Sequence, residues 1–70
     1  MRWKTLAKTV GVNMKGLRRS KQLTQEGASE LAHLSLRYWQ DLEGGKKNMT
    51  LQTLTRIAGA LQVEIKDLVA

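Results

Sequence analysis

Residues 24–45 read TQEGASELAHLSLRYWQDLEGG, and this stretch contains two helix start signals and a helix stop signal. Thr24 and Ser35 are residue types that favour a helix N-cap, because a side-chain oxygen there accepts a hydrogen bond from a free backbone N–H. Gly44 and Gly45 favour a helix end, since glycine adopts the left-handed conformation common just past the last turn. The stretch therefore predicts two short helices joined by a tight turn.

The rest of the chain adds three further helical patterns. The first runs from about Val10 to Lys21, the second begins at Thr50, and a short last one begins near Glu64. No alternating pattern of a strand competes with them, so an all-α fold of five helices is predicted. The predicted core consists of the inward-facing apolar positions, which are Leu17, Leu31, Leu34, Trp39, Leu42, Leu54, Ile57, Ala58, Leu61 and Ile65.

Residues 1–9 are predicted to be a basic amphipathic extension of a domain that spans residues 10–70. An apolar stripe at helical spacing lies opposite three cations in this part of the chain. The stripe is Trp3, Leu6, Ala7 and Val10, and the cations are Arg2, Lys4 and Lys8. Four roles stay open for the extension: a frayed first turn, a packed extension, a partner-binding face or a basic arm.

The charge of the chain is large and unevenly distributed. Seventy residues carry a formal net charge of +6. Residues 1–23 contain no acid, whereas residues 24–45 contain four acids and a single base. This asymmetry predicts a polyanionic partner, nucleic acid first and an anionic membrane surface second, although a merely solubilising charge is an alternative.

Several other classes are disfavoured by the composition. The chain has no cysteine, which fits the reducing cytoplasm, and we find neither a membrane-spanning run nor a secretory signal. Its one histidine, His33, has no second ligand at a suitable spacing and is interpreted as a turn residue. The carboxylates are scattered, so neither an enzyme, a metal site nor a cofactor is predicted. Trp39 is interpreted as a core residue, not as a stacking platform for single strands.

Eight short matches at constant spacing carry a resemblance to a known family. They are Leu17-Arg18, Leu23-Thr24-Gln25-Glu26, Glu30-Leu31-Ala32, Ser35, Leu42-Glu43, Gly45-Lys46, Thr50-Leu51 and Ile57-Ala58-x-Ala60-Leu61-x-Val63. Over about residues 10–69 the chain resembles the phage-repressor and Cro type of helix-turn-helix domain, the family of xenobiotic-response-element regulators. The resemblance implies a compact five-helix bundle like that of lambda repressor, with its helix-turn-helix at about residues 24–43.

The chain departs from the family pattern at four positions. His33 stands where the family usually has glycine, Gly27 where it prefers a charged helix former, and Met49 where many members have proline. Trp39 fills a core position usually held by isoleucine or valine. The run 48–51, together with Tyr38, is more similar to the controller proteins of restriction–modification systems than to phage repressors.

The second helix of the motif is expected to read DNA bases from its exposed face. Arg37 suits guanine O6 and N7, while Gln40 suits adenine or a phosphate. Leu36 could contact a thymine methyl group, and Asp41 could accept from cytosine N4 or repel phosphate in wrong registers. For Tyr38, surface packing or a phosphate contact is an alternative to base reading.

Phosphate contacts are expected on both sides of this helix. By resemblance, Gln25 at the start of the first motif helix meets a phosphate, where free N–H groups favour an anion. The basic loop Lys46-Lys47-Asn48 follows the second motif helix and is expected to bind the backbone too. Resemblance also implies that Arg18 pairs with Glu43 beneath the reading helix.

These features together predict a sequence-specific regulator of transcription, of prokaryotic or phage type, acting in the cytoplasm. It is expected to read the major groove of a palindromic operator in double-stranded DNA as a homodimer. The candidate dimer contacts are Val63, Ile65, Leu68 and Val69. The main alternative is an antitoxin or adaptor whose principal role is to bind a partner protein such as a toxin, and no membrane partner is expected.

Overall fold

The computed structural model describes residues 3–70, and within that range it contains five α-helices and no strand. In chain order the helices are α1 (Trp3–Ser20), α2 (Gln25–Leu31), α3 (Leu36–Glu43), α4 (Leu51–Leu61) and α5 (Ile65–Val69). The prediction of an all-α, five-helix fold is therefore confirmed. Arg2, which was assigned to the basic N-terminal extension, lies outside the described residues.

Three helices begin at the residues that the sequence marks as N-caps. The hydroxyl oxygens of Thr24, Ser35 and Thr50 each accept a backbone N–H three residues later, at 2.9, 3.1 and 3.1 Å. These bonds satisfy donors that the first turn of a helix leaves unpaired. At α5 the backbone N–H of Glu64 instead donates to the carboxylate of Asp67 at 3.0 Å.

The turn between α2 and α3 has a left-handed backbone at His33, the position where the family usually has glycine. His33 has φ 58°, and its carbonyl accepts a long hydrogen bond from Arg56 Nη1 at 3.5 Å. Asparagine, aspartate and histidine tolerate this region better than most residues, but at a cost relative to glycine. Gly45, just past α3, has φ 69°, as its position at a helix end predicts.

Helix α1 is continuous across residues 9 and 10, where the sequence suggested the start of the main domain. The close approach of α1 to α3 explains a glycine inside this helix. A Cβ added to Gly11 would lie 2.5 Å from the carbonyl oxygen of Glu43 and 2.7 Å from that of Leu42. Gly16, in contrast, faces open space.

The core lies where α1, α3, α4 and α5 meet, with α2 closing one side. Its fully buried larger side chains include Val10, Met14, Trp39, Leu42, Ile57, Leu61 and Leu68. Four residues predicted for the core are only partly buried but pack against it, namely Leu17, Leu34, Leu54 and Ile65. Val10 and Met14 were not in the predicted core, although their helical spacing was visible in the sequence.

The prediction for Leu31 was wrong. Its side chain is 56% exposed, whereas Ala28, Ser29 and Ala32 are buried. The inward face of α2 centres on these three small residues, and Leu31 lies about 100° around the helix from that centre. Leucine at this position therefore lines a surface groove with Lys21 and Ala60 instead of filling the core.

Helix α5 is hydrogen-bonded to the middle of α1. The Asn13 side-chain nitrogen donates to the carbonyl oxygens of Leu68 at 2.8 Å and of Ala70 at 3.1 Å. These bonds pair carbonyl groups that the end of a helix leaves without intrahelical partners. The first and last helices therefore close the bundle together.

Candidate nucleic-acid interface

Helix α3 has one side fixed against the protein and another side in solvent. Trp39 and Leu42 are fully buried on the inner side. Leu36, Arg37 and Gln40 are exposed on the outer side. Burial of the inner side therefore fixes α3 in the protein. The exposed side chains of its outer side remain available to a ligand.

The buried end of α3 is organised by the carboxylate of Glu43. Arg18 Nε donates to Oε2 at 2.6 Å and Nη2 donates to Oε1 at 3.2 Å, which makes a bidentate ion pair. The two side chains are only 9% and 4% exposed. Arg18 Nη1 also donates to the carbonyl of Leu23 at 2.9 Å, so the guanidinium links α1 to the segment that precedes α2 and to α3. The structure thus contains the pair that the sequence resemblance implied.

Two further side chains donate to the same carboxylate. Trp39 Nε1 reaches Oε2 at 2.6 Å, and Gln25 Nε2 reaches Oε1 at 3.0 Å. We call Arg18, Gln25, Trp39 and Glu43 the Glu43 cluster. It joins α1, α2 and α3 at one point, and no buried polar side-chain atom among residues 3–70 lacks a partner.

The Glu43 cluster keeps its carboxylate ionised. Burial alone raises the pKa of Glu43, but the hydrogen bonds from Arg18, Gln25 and Trp39, with the charge of Arg18, outweigh it. The net result is a pKa below the ordinary value of 4.5. An ionised, fully bonded Glu43 cannot repel a nearby phosphate as strongly as an unpaired acid would.

Trp39 shows why an aromatic residue suits a position where the family has a branched aliphatic one. Its ring fills the core, while its indole N–H, which must find an acceptor when buried, meets Glu43 one turn later. The sequence contained a signal for this contact, since residues four apart lie on one face of a helix. The contact itself was not predicted.

Gln25 lies at the first position of α2 and connects the Glu43 cluster to the exposed side of α3. While its nitrogen donates to Glu43, its Oε1 accepts from Gln40 Nε2 at 3.3 Å. Gln25 was predicted to contact a phosphate from this position. Its second side-chain N–H is still available for such a contact, but its oxygen is occupied.

Among the candidate base readers, Arg37 is the most exposed charged side chain. It is 86% exposed and lies 3.7 Å from the carboxylate of Asp41, which is 18% exposed. Leu36 is exposed as well, whereas Tyr38 is half-buried and packs against the core. The packing of Tyr38 favours the structural alternative given above over base reading.

The basic loop after α3 is exposed and acquires a neighbour that sequence reasoning missed. Lys46, Lys47 and Asn48 all face solvent. Lys8 of α1 lies against the start of this loop, since a Cβ added to Gly45 would lie 2.9 Å from Lys8 Cγ. Helix α1 therefore packs at Lys8 against Gly45, the residue that precedes the two lysines of the loop, and only the fold brings these segments together.

The candidate dimer contacts fall into two groups. Val63 and Ile65 are half-buried and Val69 is 38% exposed, so each presents some apolar surface. Leu68 is fully buried in the core and cannot contact a second subunit. The sequence pattern correctly predicted that Leu68 lies on the apolar face of α5. It could not show which residues of that face are covered by α1.

Residues 3–70 contain no group of three or more side chains arranged to hold a metal ion. Within the same range, no helix combines the length and the apolar character needed to cross a bilayer.

Comparison with known proteins identifies related sequences. A family model described as a helix-turn-helix domain matches residues 9–70. The immunity repressor protein of Bacillus phage phi105 is 39% identical over 61 residues, which cover 87% of this chain and 42% of that protein. The chain thus spans about two fifths of the length of this relative. An uncharacterised helix-turn-helix transcriptional regulator of Sinorhizobium fredii, y4dJ, is 42% identical over 64 residues, covering 91% of this chain and 83% of that protein.

A solved structure has a closely similar fold. The restriction–modification controller protein C.AhdI from Aeromonas hydrophila superimposes with a TM-score of 0.85 at 31% identity. The match covers 89% of this chain and 94% of the controller. The similarity to controller proteins noted in the sequence is thus accompanied by a close similarity in three dimensions.

Proposed function

The chain belongs to the Cro/C1-type helix-turn-helix family of DNA-binding proteins, and on this basis we propose that it is a sequence-specific transcription regulator. Its target is a palindromic operator in double-stranded DNA, which it reads as a dimer through the major groove. It acts where that DNA is, in the cytoplasm, and represses or autoregulates a nearby promoter.

The observation that carries this proposal is the presentation of Arg37. Its helix is fixed by the Glu43 cluster and by the buried ring of Trp39, yet its own side chain is 86% exposed. A helix in the major groove contacts base edges through residues near its N-terminus, and Arg37 is the second residue of α3. A guanidinium there suits the two acceptors of guanine, with about 1–3 kcal/mol of discrimination for a good bidentate contact.

The basic loop supplies attraction to the backbone. Lys46, Lys47 and Asn48 are exposed shortly after α3. Phosphate contacts carry no sequence information, but they position the protein and make its affinity fall as salt rises. Two of the four acidic residues of the motif have a cation nearby, since Glu43 is paired with Arg18 and Asp41 lies 3.7 Å from Arg37, so these two oppose the attraction less than unpaired acids would.

Dimerisation is proposed through the partly apolar surface at the C-terminal end of the chain. Val63, Ile65 and Val69 contribute to it. Two subunits related by a two-fold axis would place their reading helices in half-sites about 34 Å apart. Val69→Glu should therefore shift the protein towards monomer in sedimentation experiments without unfolding it, because this side chain is 38% exposed.

The test of the function uses selection from a pool of randomised duplexes, followed by affinity measurements on the selected sites. The wild-type chain should enrich a palindrome, and Arg37→Ala should lose preference at one base pair of each half-site. Lys47→Ala removes a charge from the loop and should lower affinity equally for all sequences, with the salt slope smaller by about one. Binding with no sequence preference in the wild-type chain would refute the proposal.

The antitoxin or adaptor alternative is weaker. None of the relatives described above is named as an antitoxin, whereas the phi105 protein is named a repressor. A toxin that co-purifies with the chain from its native host would favour that alternative.

A further inference from the structure

We propose that Gln25 is a positioning residue that sets the base preference of Gln40, by fixing which end of the Gln40 amide faces the DNA. The inference rests on the proposed function and adds to it a specificity determinant outside the reading helix. It comes from the chain of hydrogen bonds that runs from Glu43 through Gln25 to Gln40.

The first step is the orientation of Gln25. An ionised carboxylate only accepts hydrogen bonds, whereas a glutamine amide has one accepting and one donating end. Glu43 is ionised and held by Arg18 at 2.6 Å, so the end of Gln25 that faces it has to be the nitrogen, which lies 3.0 Å away. The opposite end, Oε1, is thereby directed away from Glu43.

The second step passes this orientation to α3. Gln25 Oε1 can only accept, so the group that meets it from Gln40 has to be the nitrogen, as observed at 3.3 Å. One of the two N–H groups of Gln40 is then occupied. Gln40 is exposed, and its remaining side-chain groups are one donor and one acceptor.

The third step concerns the base that fits these groups. Adenine presents an acceptor, N7, and a donor, N6, in the major groove, whereas guanine presents two acceptors, N7 and O6. With one free N–H and a free oxygen, the Gln40 amide can donate to adenine N7 and accept from adenine N6. Opposite guanine, the same oxygen would face an acceptor, so one of the two contacts would be lost. A Gln40 released from Gln25 has both N–H groups available and turns freely, so its preference for adenine over guanine falls.

The position of Gln25 makes this role separable from a structural one. Gln25 is half-buried at the first position of α2, outside the hydrophobic core. Gln25→Met keeps the length of the side chain and removes both hydrogen bonds. Arg18 and Trp39 continue to bind Glu43 in this variant, so the ion pair and the fold should persist.

The experiment measures affinity for a set of duplexes that carry each of the four base pairs at every position of the half-site selected by the wild-type chain. Gln40→Ala first identifies the base pair that Gln40 reads. At that base pair, Gln25→Met should reduce the preference for adenine over guanine about threefold to tenfold, part of the discrimination of a bidentate contact. Arg37→Ala is the matched control, since it should change a different base pair and leave this one unaltered.

Three results would overturn the inference. One is an unchanged adenine preference in Gln25→Met, including the case where its affinity falls equally for all sequences through loss of a phosphate contact. A second is a Gln40→Ala variant with no change at any base pair, and a third is a preference for guanine at the Gln40 position. In each case a wild-type chain that still selects a palindrome leaves the proposed function intact, whereas a wild-type chain without any preference refutes the proposed function itself.

Discussion

The two sides of α3 differ in burial and in hydrogen bonding. On the inner side, Trp39, Leu42 and Glu43 are almost completely enclosed, and every polar group has a partner. On the outer side, Arg37 and Gln40 are exposed and make only long contacts of 3.7 and 3.3 Å. Substitutions on the inner side should therefore change stability first, and substitutions on the outer side should change DNA binding first.

This difference between the two sides shows how a chain of 70 residues can fix a helix in place and still leave part of its surface free to bind a partner. Small domains bury a limited fraction of their surface, so their stability depends on few contacts. Here the buried contacts of α3 are concentrated on one side, through Trp39, Leu42 and Glu43. The opposite side, with Arg37 and Gln40, is left to interact with a partner.

Glu43→Gln should have the largest effect on stability. It leaves the guanidinium of Arg18, which is 9% exposed, without its anion. Removing one member of a buried ion pair costs about 3–5 kcal/mol. For a domain of this size we expect the melting temperature to fall by more than about 10 °C. Glu30→Gln is the control, because Glu30 is exposed on α2 and its replacement should change stability by less than about 0.5 kcal/mol. Equal melting temperatures for the two variants would contradict the division.

Gly11→Ala should destabilise the inner side without removing any of its polar groups. The new methyl group would meet the carbonyl oxygens of Glu43 and Leu42, which cannot rotate away, so α1 has to separate from α3. Overpacking of this kind costs about 1–3 kcal/mol.

Gly16→Ala in the same helix is the matched control. A Cβ there meets nothing within 4 Å, so the higher helix propensity of alanine should stabilise the chain by up to about 1 kcal/mol. Denaturant unfolding of both variants gives the comparison, and a Gly11→Ala chain as stable as Gly16→Ala would mean that the two helices are less closely packed.

Acid should weaken the inner side in a way that depends on Glu43. Because the pKa of Glu43 is lower in the folded chain than its ordinary value of 4.5, its contribution to stability is fully present above that value. The contribution is lost as the pH falls through the lower, folded-state pKa. The free energy of unfolding should therefore decrease more between pH 6 and about pH 3 in the wild-type chain than in Glu43→Gln. Parallel pH profiles would show that another group causes the loss.

Arg37→Ala should have the smallest effect on stability, within about 0.5 kcal/mol of the wild type. The exposed pair with Asp41 contributes little, because solvent screens a contact at 3.7 Å with one partner 86% exposed. Its affinity for the selected operator should nevertheless fall about tenfold or more. A marked drop in melting temperature for this variant would place Arg37 in the inner, structural group.

Local signals in the sequence were sufficient to predict where several helices begin and which positions of α4 are buried. Thr24, Ser35 and Thr50 each cap the helix that they were predicted to begin, because an N-cap depends on residues only three positions apart. The positive φ of His33 agrees with the family resemblance, in which this turn position is usually glycine. Helix spacing identified most of the apolar positions that α4 buries.

Contacts between distant segments could not be read in the same way. Leu31 has the residue type of a core position, but its exposure depends on where α4 lies relative to α2. The meeting of Lys8 with Gly45, and that of Asn13 with Leu68, joins residues far apart in the chain. The Arg18–Glu43 pair was anticipated only through resemblance, whereas the donation from Trp39 and the bond between Gln25 and Gln40 required the structure.

The attachment of α5 to Asn13 has a consequence for the order of events during synthesis. Helix α1 is made before the reading helix, but the residues that bind its middle, Leu68 to Ala70, are made after that helix. Folding of domains that depend on such distant contacts waits for the chain to close. During translation, at about 5–20 residues per second, the 27 residues that follow the reading helix take about 1–5 s to be made, and α1 is fully packed only after that. A nascent chain that ends before α5 would carry all its candidate base readers on a bundle that still lacks the Asn13 hydrogen bonds and the buried side chain of Leu68.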